Sequence, residues 1–219
     1  MNRLIIRSLP GGEELIDSVK TYQLAERADW LAYQSGRKDS TLVIRSLDGK
    51  TVYRCQAVSG FKFAAKSGSL YCVSKGDSLG TKPGIYLFDP NKGAPVLIKE
   101  GDGLFKQPAI SEQGEALAFL YCAKKDSAKH VMELWLSENS APARLAADRR
   151  NRAIPKGWVI SEHGTLRFSE EADRLFWAHL PNPARKIPPN WPNTAPMYRG
   201  GVGTNRCNIP SRRLTAIKT

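Results

Sequence analysis

The sequence predicts an all-β fold, a partial β-propeller of about three to four four-stranded antiparallel blades followed by an irregular C-terminal tail. Three observations predict it. A twelve-residue phrase occurs four times: YQLAERADWLAY (Tyr22–Tyr33), FKFAAKSGSLYC (Phe61–Cys72), PAISEQGEALAF (Pro108–Phe119) and LRFSEEADRLFW (Leu166–Trp177). The copies begin 39, 47 and 58 residues apart, the spacing of a repeated four-strand unit with loops of growing length. No segment holds a helical period over three turns. One small twisted sheet cannot bury both its faces, and stacking such sheets around an axis solves that problem while limiting exposed edges.

The elements follow in order. Arg3 to Ser8 reads as a strand ending in the turn Pro10-Gly11-Gly12, with a short strand near Leu15. This opening has a twin: RLIIRSLPGG matches TLVIRSLDGK (Thr41 to Lys50), with Leu4 over Leu42, Arg7 over Arg45 and Gly11 over Gly49. Both are apolar strands entering a Gly-containing hairpin turn. The first full unit is read as strands at Tyr22–Leu24, Trp30–Tyr33, Leu42–Leu47 and Val52–Ala57. The second is Phe61–Ala64, Leu70–Ser74, Gly84–Phe88 and Pro95–Lys99. The third is Pro108–Ile110, Ala116–Cys122, Met132–Leu136 and Ala143–Ala146, and the fourth only Leu166–Phe168 and Leu175–His179. Residues 1–180 are therefore read as blades.

Residues 181–219 change character. They hold seven basic side chains, no acid and seven of the 14 prolines. Such composition does not bury enough apolar surface to offset its ordering. The tail is read as a disordered basic arm or as a stretch translated out of frame. It also holds more than half of the net charge of +12: the blades alone carry 26 basic and 21 acidic groups, a net of +5. Nucleic-acid binding is accordingly disfavoured except through the tail. No apolar run approaches the roughly 20 residues of a membrane helix. The first residues lack a secretory signal's long apolar stretch and cleavage signature. Cys55, Cys72, Cys122 and Cys207 form no metal-ligand spacing, so no metal or other cofactor is expected. Cys72 and Cys122 end the second strand of their units and are read as buried free thiols.

The pattern F-x-x-S-x-x-G-x-x-L-x-[FY], carried fully or in part by the four copies, resembles the blades of TolB-type propellers and, equally, the propeller domain of the prolyl oligopeptidase family of serine peptidases. WD40 proteins share the general blade plan. The corner Ser is kept at Ser111 and Ser169 and replaced at Ala25 and Ala64, and corner glycines stand near Gly68 and Gly114. Ile154–Trp177 most closely resembles large secreted peptidase-like members of the second family. The likeness covers residues 1 to about 180.

That resemblance implies a non-catalytic part. In the family an α/β-hydrolase domain cleaves the bond, using a nucleophile elbow, and the propeller gates access of peptide substrates. The expectation is that this chain contains no G-x-S-x-G pentapeptide, no run alternating strands with helices, and no catalytic residues. Its partners are then a hydrolase domain, further blades, a peptide or protein, or another copy of itself. Relatives of this kind are expected in the periplasm or outside the cell; the compartment of this chain stays open. The candidate binding residues are Trp158, as a ligand platform at a rim, and Glu162 with His163, as contact residues in Ser161-Glu162-His163-Gly164. For each the competing reading is structural: a packed ring and an exposed turn histidine.

Overall fold

The computed structural model describes residues 2–7, 11–36, 40–78, 80–123 and 131–182. Every regular element among them is a β-strand. The first sheet runs β1 (Asn2–Arg7), β2 (Glu13–Leu24), β3 (Trp30–Ser35), β4 (Leu42–Ser46) and β5 (Val52–Cys55). The second is β6 (Val58–Phe63), β7 (Leu70–Ser74), β8 (Gly84–Asp89) and β9 (Gly93–Glu100). The third is β10 (Leu104–Ile110), β11 (Ala116–Cys122), β12 (Glu133–Glu138) and β13 (Arg144–Ala147). In each of the three, hydrogen-bonded neighbours follow chain order, as a meander does. The fold is all-β, a partial β-propeller.

The repeated phrase makes the same corner each time. The N–H of its fourth residue donates to the carbonyl of its ninth: Ala25 to Trp30 at 2.9 Å, Ala64 to Ser69 at 2.8 Å, Ser111 to Ala116 at 2.8 Å and Ser169 to Arg174 at 2.9 Å. The registers agree, with Leu24 opposite Leu31, Phe63 opposite Leu70 and Phe168 opposite Leu175. Where the fourth residue is Ser, its hydroxyl accepts the returning N–H of Ala116 or Arg174, each at 3.0 Å. The seventh N–H then closes onto the Ser carbonyl, from Gly114 and from Ala172, again at 3.0 Å. This places Gly114 at φ +82° and Ala172 at φ +54°. The two Ala corners close differently: Trp30 N–H donates to the Ala28 carbonyl at 2.8 Å, and Ser69 N–H to Ser67 Oγ at 3.2 Å. Gly68, one place beyond the Gly114 position, is there for room. A Cβ on it would lie 2.8 Å from Pro90 and 2.9 Å from Trp30.

The chain divides into two compact units: Met1–Asp102 with Ile110–Leu117 and Ser137–Ala143, and Gly103–Ala109 with Ala118–Leu136 and Arg144–Thr219. In unit 1 the first two sheets share one core of Ala32, Leu42, Ile44, Cys55, Val58, Phe63, Leu70, Cys72 and Phe88. Trp30 meets Phe88 edge-on at 4.8 Å and Tyr53 stacks beside them. Buried Gln34 donates from Nε2 to the Val58 carbonyl where the chain enters the second sheet. In unit 2 Leu120, Met132, Leu134, Ile160, Leu166, Leu175 and Trp177 form the core.

Three differences from the sequence reading have physical causes. The strand near Leu15 and Tyr22–Leu24 are one strand, β2, which pairs with β1 and then with β3. Ser18, at φ +60°, bulges between the two stretches. In the fourth unit, β15 (Arg167–Phe168) pairs only β16 (Leu175–Phe176). The stretch beyond turns away as β17 (His179–Pro181) and pairs β14 (Trp158–Ile160), a three-residue strand that the repeat pattern does not predict. Among the described residues no helix is long and apolar enough to cross a membrane. The tail beyond Asn182, with Cys207, and His130 lie outside the described residues, as do Ser8 and Pro10 of the first strand and turn.

Candidate functional site

The feature that stands out lies on one face of the first sheet. Repeat positions one, three, ten and twelve share a face, because their residues pair directly across the first two strands of each unit. In the second sheet that face is Phe61, Phe63, Leu70 and Cys72, all packed against the first sheet. In the first sheet the same positions are Tyr22, Leu24, Leu31 and Tyr33. Here Leu24 is 53% exposed where Phe63 is 4% exposed, and Tyr22 is 60% exposed where Leu166 of the fourth copy is 5%. The residue types are those of a covered sheet face, yet two of the four stand in solvent. Leu47 and Val52, flanking the β4–β5 turn, are also exposed.

The other end of this face is occupied by the N-terminal hairpin. Arg45, which pairs opposite Leu31, donates from Nη1 to both carboxylate oxygens of Glu14 at 2.7 and 2.8 Å. Ile16, Asp17 and Val19 of β2 join Tyr33, Ser35, Thr41, Arg54 and Gln56 around a shallow depression of about 350 Å³. Its polar groups are partly committed: Arg3 Nε donates to Asp17 at 2.6 Å and Thr41 Oγ1 to Gln56 Oε1 at 2.6 Å. Burial pushes the Tyr33 hydroxyl above its ordinary pKa, with Arg45 pulling the other way. The face therefore offers an apolar half beside a half lined by paired charges.

The residues singled out from sequence lie in unit 2. Trp158, on β14 opposite Pro181, meets the His179 ring edge-on at 5.3 Å and packs on the unit's core. The Trp177 ring lies 5.8 Å from that of His179, tilted to it. Glu162 and His163 follow in the turn, where Ser161 Oγ accepts the N–H groups of His163 and Gly164 at 3.2 Å each. The His163 ring is 83% exposed and 3.8 Å from the Glu162 carboxylate. Trp158 is thus brought to His179, a residue with no partner pattern in the sequence. Their approach depends on a strand pair too short to show periodicity. Trp177 Nε1 and His179 Nδ1 are buried with no hydrogen-bond partner among the described residues, and burial lowers the His179 pKa. No three His, Cys, Asp or Glu side chains converge on a metal position among the described residues.

The expectation that the chain lacks a G-x-S-x-G pentapeptide is incorrect. Gly76-Asp77-Ser78-Leu79-Gly80 is one. Its setting differs from an elbow, which needs a strand, a sharp turn and a helix. Ser78 is exposed in the connection from β7 to its antiparallel neighbour β8. The Asp77 carboxylate closes that loop by accepting from Thr81 N–H at 2.8 Å and Thr81 Oγ1 at 2.9 Å. The glycines suit the loop, with φ +76° at Gly76 and +113° at Gly80.

No protein-family model and no curated protein sequence matches the chain. Among solved structures it is similar to the β-propeller domain of the Trilobed protease from Pyrococcus furiosus, described as having an open velcro topology. The identity is 9%, the TM-score 0.46, and the match covers 81% of this chain and 70% of that one. It is similar to a structure from a study of two prolyl endopeptidases at 12% identity and TM-score 0.44, over 78% of this chain and 28% of the other. A third is Hsv2 of Kluyvelomyces marxianus, at 10% identity and TM-score 0.31, over 76% of this chain and 59% of that one. The chain thus spans under a third of the endopeptidase it matches. The assignment to a propeller scaffold stands on the strand topology and the four corners above.

Proposed function

We propose that this chain is a non-catalytic β-propeller module of peptidase type, a scaffold that receives a further sheet on the outer face of its first blade. The observation that carries the reading is the exposure of Tyr22 and Leu24 at positions where the second blade packs Phe61 and buries Phe63 against its neighbour. An apolar face of this design is stabilised by covering it, at about 25 cal/mol per Å² of apolar surface. In a peptidase-like assembly the covering element is another blade, and the module would help to gate peptide entry to a hydrolase domain. For the chain by itself the available occupant is a second copy.

Light scattering on a size-exclusion column tests it. The wild-type chain is expected to self-associate in a concentration-dependent manner, and Tyr22→Glu with Leu24→Glu to shift it to monomer with unchanged far-UV circular dichroism. A stable, soluble wild-type monomer across the concentration range overturns the reading. A fluorophosphonate probe tests the non-catalytic half separately. Labelling that is lost in Ser78→Ala would make the pentapeptide a working nucleophile and end the module reading.

A further inference from the structure

Two strand edges of this protein are complementary parts of one design. β1 reads and pairs as the third strand of a blade. Its RLIIRS is the twin of TLVIRS at Thr41–Ser46, and it forms an antiparallel hairpin with β2 as β4 does with β5. The third strands β4, β8 and β12 each lie between a second and a fourth strand. β1 has only β2 beside it among the described residues. The difference shows in burial. Ile5 is 54% exposed where its twin Val43 is 7% exposed, and Leu4 and Ile6 are half-buried where Leu42 and Ile44 are wholly buried. β16 is the converse case. It pairs β15 as a second strand pairs a first, with Leu175 opposite Phe168 as Leu31 is opposite Leu24. Its other edge carries no strand among the described residues.

We propose that β1 of one copy pairs with β16 of a second copy, joining β15, β16, β1 and β2 into one blade-like sheet. The proposal rests on the reading that a second copy is the partner, and it names the strands that hold that copy. The repeat fixes the register. In the first sheet Leu31 lies opposite Arg45, Ala32 opposite Ile44 and Tyr33 opposite Val43. Carried to the fourth copy of the phrase and to β1, these become Leu175 opposite Arg7, Phe176 opposite Ile6 and Trp177 opposite Ile5. Ser35 N–H donates to the Thr41 carbonyl and Leu47 N–H to the Asp29 carbonyl, so by alternation the ladder bonds fall on Leu31 and Tyr33 and skip Ala32. The backbone groups of Leu175 and Trp177 then meet those of Arg7 and Ile5. Asp173 falls diagonal to Arg7 on one face, so opposite charges meet across the junction. Main-chain bonds hold the added strand, as when an extended segment joins an exposed sheet edge, and Ile5 is covered. The two edges differ, so each copy offers one of each and the contact is head to tail.

The test uses full-length chains carrying Cys207→Ser. A chain with Ile6→Cys and another with Phe176→Cys are mixed, mildly oxidised and run without reductant, and linked peptides are identified by mass spectrometry. A non-hydrogen-bonded antiparallel pair stands about 4.5 Å apart at Cα, within the reach of a disulfide. The expected result is a reducible dimer joining positions 6 and 176, several-fold more abundant than the link between Leu4→Cys and Arg174→Cys, which lie out of register. Ile5→Pro removes an N–H that the alternation turns to the open edge, so it should abolish the link and keep the far-UV circular dichroism. If Phe176→Cys fails to fold, Ala178→Cys against Leu4→Cys reads the next pair of the same register. A wild-type chain that self-associates while neither pair links overturns the strand pairing alone. A link confined to single polypeptides carrying both cysteines, or one unaltered by Ile5→Pro, overturns it as well. A wild-type monomer at every concentration instead removes the reading beneath it.

Discussion

At the residue scale, the corner decides which substitutions the repeat tolerates. The Ser at the fourth place matters because its hydroxyl takes an N–H that the Ala corners satisfy by another route. Ala172 therefore occupies a positive-φ position that its counterpart fills with Gly114. Ala172→Gly is expected to stabilise the chain by up to about 1 kcal/mol, strain relief outweighing the added freedom of the unfolded chain. Gly114→Ala should destabilise by more than that, because its Cβ would collide with the Ser69 side chain as well as adopt φ +82°. Urea denaturation midpoints of the two variants check both signs. His179 gives a pH dependence. Burial lowers its folded-state pKa, so as pH falls through about 6.5 the unfolded chain takes up the proton first. Stability is lost from there down through the folded value. Between about pH 7 and 5 the wild type should lose more melting temperature than His179→Gln. Equal slopes would show that the group is not linked to folding.

At the element scale, what was readable in the sequence is what the backbone repeats. Leu70–Ser74 and Ala116–Cys122 are strands with the bounds their apolar runs suggest, and β11 is buried along its whole length, as a central strand must be. The twin hairpins also show. Arg7 and Arg45 each find a carboxylate, Glu13 and Glu14, on β2. Boundaries failed where short polar residues hide continuity, as at Asp17-Ser18, and where a strand has three residues, as in β14. The candidate site was less legible. Tyr22 and Leu24 read like every other covered pair, because a sequence pattern reports which face is apolar and not whether anything lies on it. The Ser78 pentapeptide shows the converse: its spacing matches an elbow while its flanking strands are those of a hairpin loop.

At the scale of the whole molecule, most of the excess positive charge lies beyond the described strands, and that distribution has a measurable consequence. The described strands end at Pro181, and Asn182 N–H still donates to the Gly157 carbonyl at 3.0 Å. A chain cut after Asn182 therefore keeps every described strand pair, β14–β17 included. The same cut removes seven basic groups and no acid, taking the net charge from +12 to +5. Retention on a polyanion such as heparin rises with the number of cations engaged, and falls more steeply with salt the more of them there are. The full chain should elute at clearly higher salt than the cut chain, while the two give superimposable far-UV circular dichroism. A cut at Leu180 is a sharper probe, since it takes Pro181 from opposite Trp158. It should lose both the charge and some melting temperature through β14–β17. If the cut after Asn182 leaves heparin elution unchanged, the polyanion affinity belongs to the blades, and a nucleic-acid role would have to be sought on the sheets themselves.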